Sequence, residues 1–494
     1  MDPIRRLAGQ TAIYGLSSIV GRLLNYLLVP LYTRVLITSD YGIYTEMYAW
    51  VSILWVILTY GMETTFFRFS EREKNKRLVY STAFLSLVLT SSVFLVLVLT
   101  NVQQIAAWLG YPGNLNYVIW FGLILAFDAL AAIPFAKLRQ ENRPVRFATI
   151  KLINIGTNIG LNLFFILLCP FILEQYPASA AADFIGLFFD PQHLVEYIFI
   201  SNLIATLLTF VLLMPDIPFR SLRFNSRLWV RMLRYTWPLL IVAIAGSINL
   251  SIDKILLTYL LPEGSNVMSQ VGIYGACYKV SIIMTLFVQT FRYAADPFFF
   301  SESGRSDSRK LYADVLTLFT MAVSLIFLIT VMYLDVVILF IGEAYREGKE
   351  VIPILLLGNL FLGIFYNLSI WFKLTDRTIF GAVLSVLGAT VTIVLNFVLI
   401  PHIGYFGSAW AAFFAYFLMM ILSYFLGKYY FPVPYDLRKF FLYLGVAVSL
   451  FLISKWLDFP SQTVKYIVNT AFTLGYTAFV LLNEKKLLRQ MLLK

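Results

Sequence analysis

Apolar stretches of the length a helix needs to cross a bilayer, roughly 20 residues, follow one another from end to end of the chain, separated by short polar turns. Fourteen spans are predicted, over residues 11–36, 42–67, 78–101, 117–136, 147–170, 194–214, 236–260, 271–293, 311–334, 351–372, 378–400, 407–426, 440–457 and 463–482. The expected fold is an all-α integral membrane protein. An even count of spans puts both termini on one side of the membrane.

The pattern is duplicated. Setting Gly42 on Gly272 also aligns Ile43 with Ile273, Tyr44 with Tyr274 and Tyr48 with Tyr278. Further on, Arg143 falls on Arg377, Ala148 on Ala382, Ile159 on Ile393, Leu161 on Leu395 and Asn162 on Asn396. The copies lie six spans apart and share one orientation, which makes a parallel repeat about a pseudo-twofold along the membrane normal. Two six-helix lobes are expected, residues 1–214 and 215–427. Residues 428–494, with the last two spans and a tail, lie outside the repeat.

Composition removes most other classes. The chain is 60% hydrophobic and 13% charged, with mean hydropathy +0.79, whereas a soluble domain has about a quarter charged residues. Cys169 and Cys277 fall in different halves, and His193 and His402 are read as loop residues far from either, so neither a disulfide framework nor a metal site is expected. There is no P-loop. No cofactor and no catalytic residue is assigned; coupling to H+ or Na+ stays open. The start, MDPIRRLAGQ, reads as the approach to an uncleaved first span.

Charge gives the topology. Of the 38 Lys and Arg, 30 fall at the termini, in the loops and at the adjoining span ends of one side, five (Arg34, Arg346, Lys349, Lys455 and Lys465) fall towards the other, and Arg22, Lys254 and Lys279 lie deep inside spans. Short basic loops stay cytoplasmic, so both termini are expected there. The net charge of +11 then reflects topology and anionic inner-leaflet lipid rather than nucleic acid.

The residues that stand out are the charges within spans. Arg22 lies near the middle of the first span and shares a face with Ser18 and Asn25. Lys254 follows Asp253 in the seventh span, and the eighth carries Lys279 and, near the inner surface, Arg292. Lys151 heads a stripe with Asn154, Asn158 and Asn162 in the fifth. A cation at the centre of a spanning helix costs on the order of 3 kcal/mol and needs a cavity or a partner. One reading is a water-filled cleft in which Arg22, Lys254 and Lys279 hold an anionic substrate. The other is internal neutralisation, Asp253 with Lys279 and Asp128 with Arg22. Asn25, Lys151 and Arg292 are further candidates for that cleft, although Lys151 and Arg292 also suit interfacial anchoring and the Asn stripe suits hydrogen bonding between helices. Glu46, Asp128 and Asp253 are the acids available for ion coupling; Glu63 is set aside as a boundary partner of Arg68. Charges in the spans of a duplicated chain point to transport.

Three stretches carry a family resemblance: LRYTWPLL…SIDKILL…VGIYGACYKV (233–280), RQENRPVRFA (139–148) and LNFVLIPHIGYFGSAWAA (395–412). They are similar to the multidrug/oligosaccharidyl-lipid/polysaccharide (MOP) exporter superfamily, in particular the bacterial oligosaccharide (Wzx-type) flippases. The family often has Asp-Arg where this chain has Asp253-Lys254, which keeps the charge without the bidentate fork. The resemblance implies a flippase of the bacterial inner membrane. Its substrate would be an undecaprenyl diphosphate-linked oligosaccharide for cell-surface polysaccharide such as O-antigen, moved from the cytoplasmic to the periplasmic leaflet by alternating access. It also implies functional cations in a central cavity, membrane lipids and other polysaccharide-assembly proteins as partners, and a lipid-tail groove beside the last two spans. Alternatives are a lipid II flippase, an ion-coupled multidrug antiporter of the same superfamily, and, from another class, a membrane polysaccharide polymerase or ligase acting through the outer loop 171–193.

Overall fold

The computed structural model describes residues 21, 23–262, 264–304 and 307–485, and every regular element among them is helical. Thirteen helices have eighteen residues or more. They are α1 (Thr38–Thr59), α2 (Lys76–Thr100), α3 (Leu115–Gln140), α4 (Pro144–Leu163), α5 (Leu194–Leu213), α6 (Ser226–Leu260) and α7 (Val267–Ser301). The rest are α8 (Ser308–Met332), α9 (Val351–Leu368), α10 (Ile379–Ile403), α11 (Tyr405–Tyr430), α12 (Leu437–Trp456) and α13 (Gln462–Asn483). Among the described residues twelve helical stretches are long and apolar enough to cross a membrane, so the chain is a multi-pass membrane protein. They coincide with the second to thirteenth expected spans. The fourteenth is α13, whose Lys465, Asn469, Thr470, Thr473 and Thr477 make it less apolar. Residues 11–20 and 22 of the first expected span lie outside the described residues, and the short helix Val29–Val35 is its far end.

Two expectations are corrected. The second span is broken: Tyr60 (φ +34°) and Gly61 (φ +69°) are both left-handed, and a separate helix, Met62–Arg72, follows. A bulky residue in that region is strained, and a hydrogen bond between the Tyr60 and Ser86 hydroxyls holds it. His402 lies in the last turn of α10 rather than in a loop.

The chain divides into two compact units, Met1–Ser251 and Ile252–Lys494, with the division inside α6. In the first, α3 packs on α1, α2 and α5, and α4 pairs with α5. In the second, α9 packs on α7, α8 and α11, and α10 pairs with α11. Substituting α7–α11 for α1–α5 turns one scheme into the other, so the repeat is present in packing as well as in sequence. The hairpin between α10 and α11 shows how tight that packing is. Gly404 turns the chain at φ +59°, and a Cβ on Gly407 would come within 2.7 Å of the Ile400 backbone nitrogen.

The units differ at one helix. About 67% of the apolar stretch of α8 is buried, against 39% of that of its counterpart α2. The difference follows from α12 and α13, which both pack on α8.

Candidate functional site

Within the second unit, the charges of α6 meet the tyrosines of α7. Asp253 accepts from Lys254 Nζ (2.9 Å) and the Lys254 backbone N–H (3.0 Å) on Oδ1, and from the Tyr274 hydroxyl (2.6 Å) on Oδ2. Lys254 Nζ also lies 3.7 Å from the centroid of the Tyr278 ring. Both charged side chains are almost fully buried, at 5% and 11% exposure. Buried charges in low dielectric require this degree of satisfaction. Lys254 is thus neutralised within its own helix, and the expected pairing of Asp253 with Lys279 does not form.

Lys279 is placed differently. It is half-buried, twelve residues into α7, or about 18 Å along the axis at 1.5 Å per residue. Among the described residues it makes no hydrogen bond or ion pair, and the charge acting on it is the like charge of Lys254. Further along the same helix the Arg292 guanidinium stacks 3.9 Å from the centroid of Tyr366 on α9. Tyr416 of α11 joins this interior beside Tyr278 and Tyr366.

Among the described residues, the first unit holds the equivalent rings without an equivalent ion pair. The Tyr44 and Tyr48 rings lie tilted to each other with centroids 4.7 Å apart, against 6.3 Å for Tyr274 and Tyr278. Around them runs a chain of amides and hydroxyls. Tyr32 donates to Asn162 (2.9 Å), Asn158 to Asn25 (3.5 Å), and Asn202 to the Tyr48 hydroxyl (2.5 Å). Asn154 donates to Thr209 (2.8 Å), so the stripe on α4 links helices as expected. The bond from Asn162 Nδ2 to the carbonyl four residues back recurs at Asn396, at 2.7 Å in both.

Asp128 accepts from Thr206 (3.3 Å), and its charged neighbour among the described residues is Lys151, whose ammonium lies 4.4 Å from the Phe135 ring centroid. Arg22, the partner expected for Asp128, lies outside the described residues. Glu46 is buried and accepts from the Tyr111 hydroxyl. Glu63 pairs with Arg139 at 2.5 Å rather than with Arg68, which stacks on Tyr235 at 3.9 Å.

In the segment 171–193, Asp190 and His193 bond each other at 3.0 Å with both side chains half in solvent. The Gln192 backbone N–H and then His193 hold the Asp190 carboxyl below the usual range. This is a local cap on the turn Pro191–His193.

Sequence reasoning aligned Tyr274 and Tyr278 with Tyr44 and Tyr48 but gave them no role. Their recurrence beside the charged helix was the available signal. Tyr366, Tyr416 and Asn202 carried none, because only packing brings them to these groups.

A family model described as "Polysaccharide biosynthesis protein" matches residues 7–169. Among solved structures, the chain is similar to the lipid II flippase MurJ in an inward closed conformation. That match has a TM-score of 0.71 and 13% identity, and covers 96% of this chain and 99% of that one. The fold is shared with that flippase and with a transporter described as belonging to the MOP superfamily. A multidrug resistance MATE family transporter of this superfamily, in its inward-facing conformation, matches with a TM-score of 0.60 at 13% identity over 86% of this chain and 97% of its own. The outward-facing form of a MATE family transporter matches at 0.55, 14% identity, and 86% and 94% coverage. No curated protein matches the sequence.

Proposed function

We propose that the chain is a flippase that moves an isoprenoid diphosphate-linked oligosaccharide from the cytoplasmic to the outer leaflet of a bacterial inner membrane, with both termini cytoplasmic. The observation that carries this reading is Lys279, an intramembrane cation that makes no ion pair among the described residues. A diphosphate cannot enter lipid with its charge uncompensated, and an available ammonium lowers that cost. Arg292 lies further along the same helix, on the path an anionic head group would follow. Lys254, already paired with Asp253, acts as scaffold.

A second observation supports a lipid-linked substrate. A pocket of about 310 Å³ lies among α8, α9, α11 and α12, with an apolar wall that includes Leu316, Ile364, Met420, Phe425 and Phe440. Such a pocket suits part of an isoprenoid chain. The polysaccharide biosynthesis family match agrees with a glycan cargo.

The test is translocation of a fluorescent polyprenyl-diphosphate oligosaccharide in proteoliposomes, with efflux of a cationic dye measured in parallel. Lipid movement that depends on Lys279, without dye movement, is the expected result. Dye movement alone would overturn the flippase reading and turn attention to Asp128.

A further inference from the structure

A second pocket of about 310 Å³ opens where four segments of the second unit meet: the end of α8, the turn Glu343–Glu350 leading into α9, the end of α12 and the start of α13. Asp335, Lys349, Glu350, Lys455, Gln462 and Lys465 make its polar wall, and Phe451 and Phe459 give it apolar faces. Lys455 donates to Glu350 and Lys465 to Asp335, while Lys349 lies 3.8 Å from Asp335. Beneath them Ser454 donates to Asn469 and Asn469 to the Met332 carbonyl, both at 2.7 Å.

The placement of these charges is selective. Only five of the 38 Lys and Arg fall on the expected outer side, and three of the five line this pocket. Ion pairs that merely fastened α12 and α13 to the rest of the unit would need no cavity beside them.

Bonding capacity decides what fits. Each ammonium has three donors, of which Lys455 and Lys465 each use one in a pair, and each carboxylate has lone pairs to spare. Two carboxylates in the wall oppose a phosphate and offset the charges of Lys455 and Lys465, which leaves the single charge of Lys349, itself 3.8 Å from Asp335. A hydroxyl both donates and accepts, so it can use both kinds of spare site, and the apolar face of a ring can lie on Phe451 or Phe459. The volume is at the low end of the roughly 300–1,000 Å³ of small-molecule sites.

We propose that this pocket is an outer-face binding site for one neutral sugar unit. That the sugar belongs to the transported glycan rests on the flippase reading; the chemistry of the pocket does not.

The test uses the full chain in nanodiscs and saturation-transfer difference NMR with free N-acetylglucosamine, galactose and glucuronic acid. At least one neutral sugar is expected to receive saturation. The Lys349→Ala/Gln462→Ala variant removes two lining donors but neither tight pair, and is expected to lose that signal at unchanged melting temperature. Absence of signal from every neutral sugar overturns the proposal, as does a signal that survives in the variant. A signal from glucuronic acid alone, or one competed away by inorganic phosphate, overturns it in favour of an anion site. Lys279→Ala lies outside the pocket and is expected to keep the sugar signal while losing lipid translocation. Wild-type sugar binding without translocation would sink the flippase reading and leave the pocket standing; translocation without sugar binding would do the reverse.

Discussion

Asp253 has both carboxylate oxygens occupied, and that fact separates the two lysines nearest it. Removing Lys254 strands a buried carboxylate, a change that costs on the order of 3 kcal/mol in buried pairs. Lys254→Ala is therefore expected to lower the melting temperature in detergent, and Asp253→Asn with Lys254→Met to recover most of it. Lys279 stabilises no partner among the described residues, so Lys279→Ala is expected to leave melting unchanged. In the flippase assay it should cut lipid translocation about tenfold, as expected for loss of roughly 1.5 kcal/mol of charge-assisted contact, with Lys279→Arg active. Which cations lie in spans was legible from depth along the sequence. Which acid each one meets was not. Asp253 and Lys254 point about 100° apart on their helix, and only the flexible lysine stem and a tyrosine from the next helix close the pair.

At the scale of elements, the break after α1 and the seating of α13 rest on local chemistry. Gly61 has only the Leu239 Cβ near its own missing Cβ, at 3.8 Å, so Gly61→Ala meets no clash and the cost is that of the φ of +69° alone. Thermal unfolding of Gly61→Ala is expected to show a loss of about 1 kcal/mol. The hydropathy pattern could not reveal the break, since Tyr60 is a residue that normally avoids this conformation and its anchor, Ser86, lies on another helix. Asn469 links α13 to the end of α8 through the Met332 carbonyl and to α12 through Ser454. Asn469→Ala leaves both groups short of a partner, at about 1–3 kcal/mol. Amide hydrogen exchange should then quicken in α13 while α9, at the centre of the unit, stays protected.

Over the whole molecule the duplication was legible because aligned residues such as Asn162 and Asn396 keep the same local bonds. The position of α12 and α13 was not, because nothing in their own sequence names α8 as the helix they cover. What the two units share and what they do not also orders events in time. A feature found in both was present before the chain doubled, and the paired tyrosines meet that condition. Among the described residues the buried aspartate and lysine occur beside one pair only. The rings are then common to both halves, and a pair confined to one half was either gained there after the doubling or lost from the other. Relatives that keep Tyr274 and Tyr278 while losing Asp253 and Lys254 together should exist, and relatives that lose only the lysine should be rare.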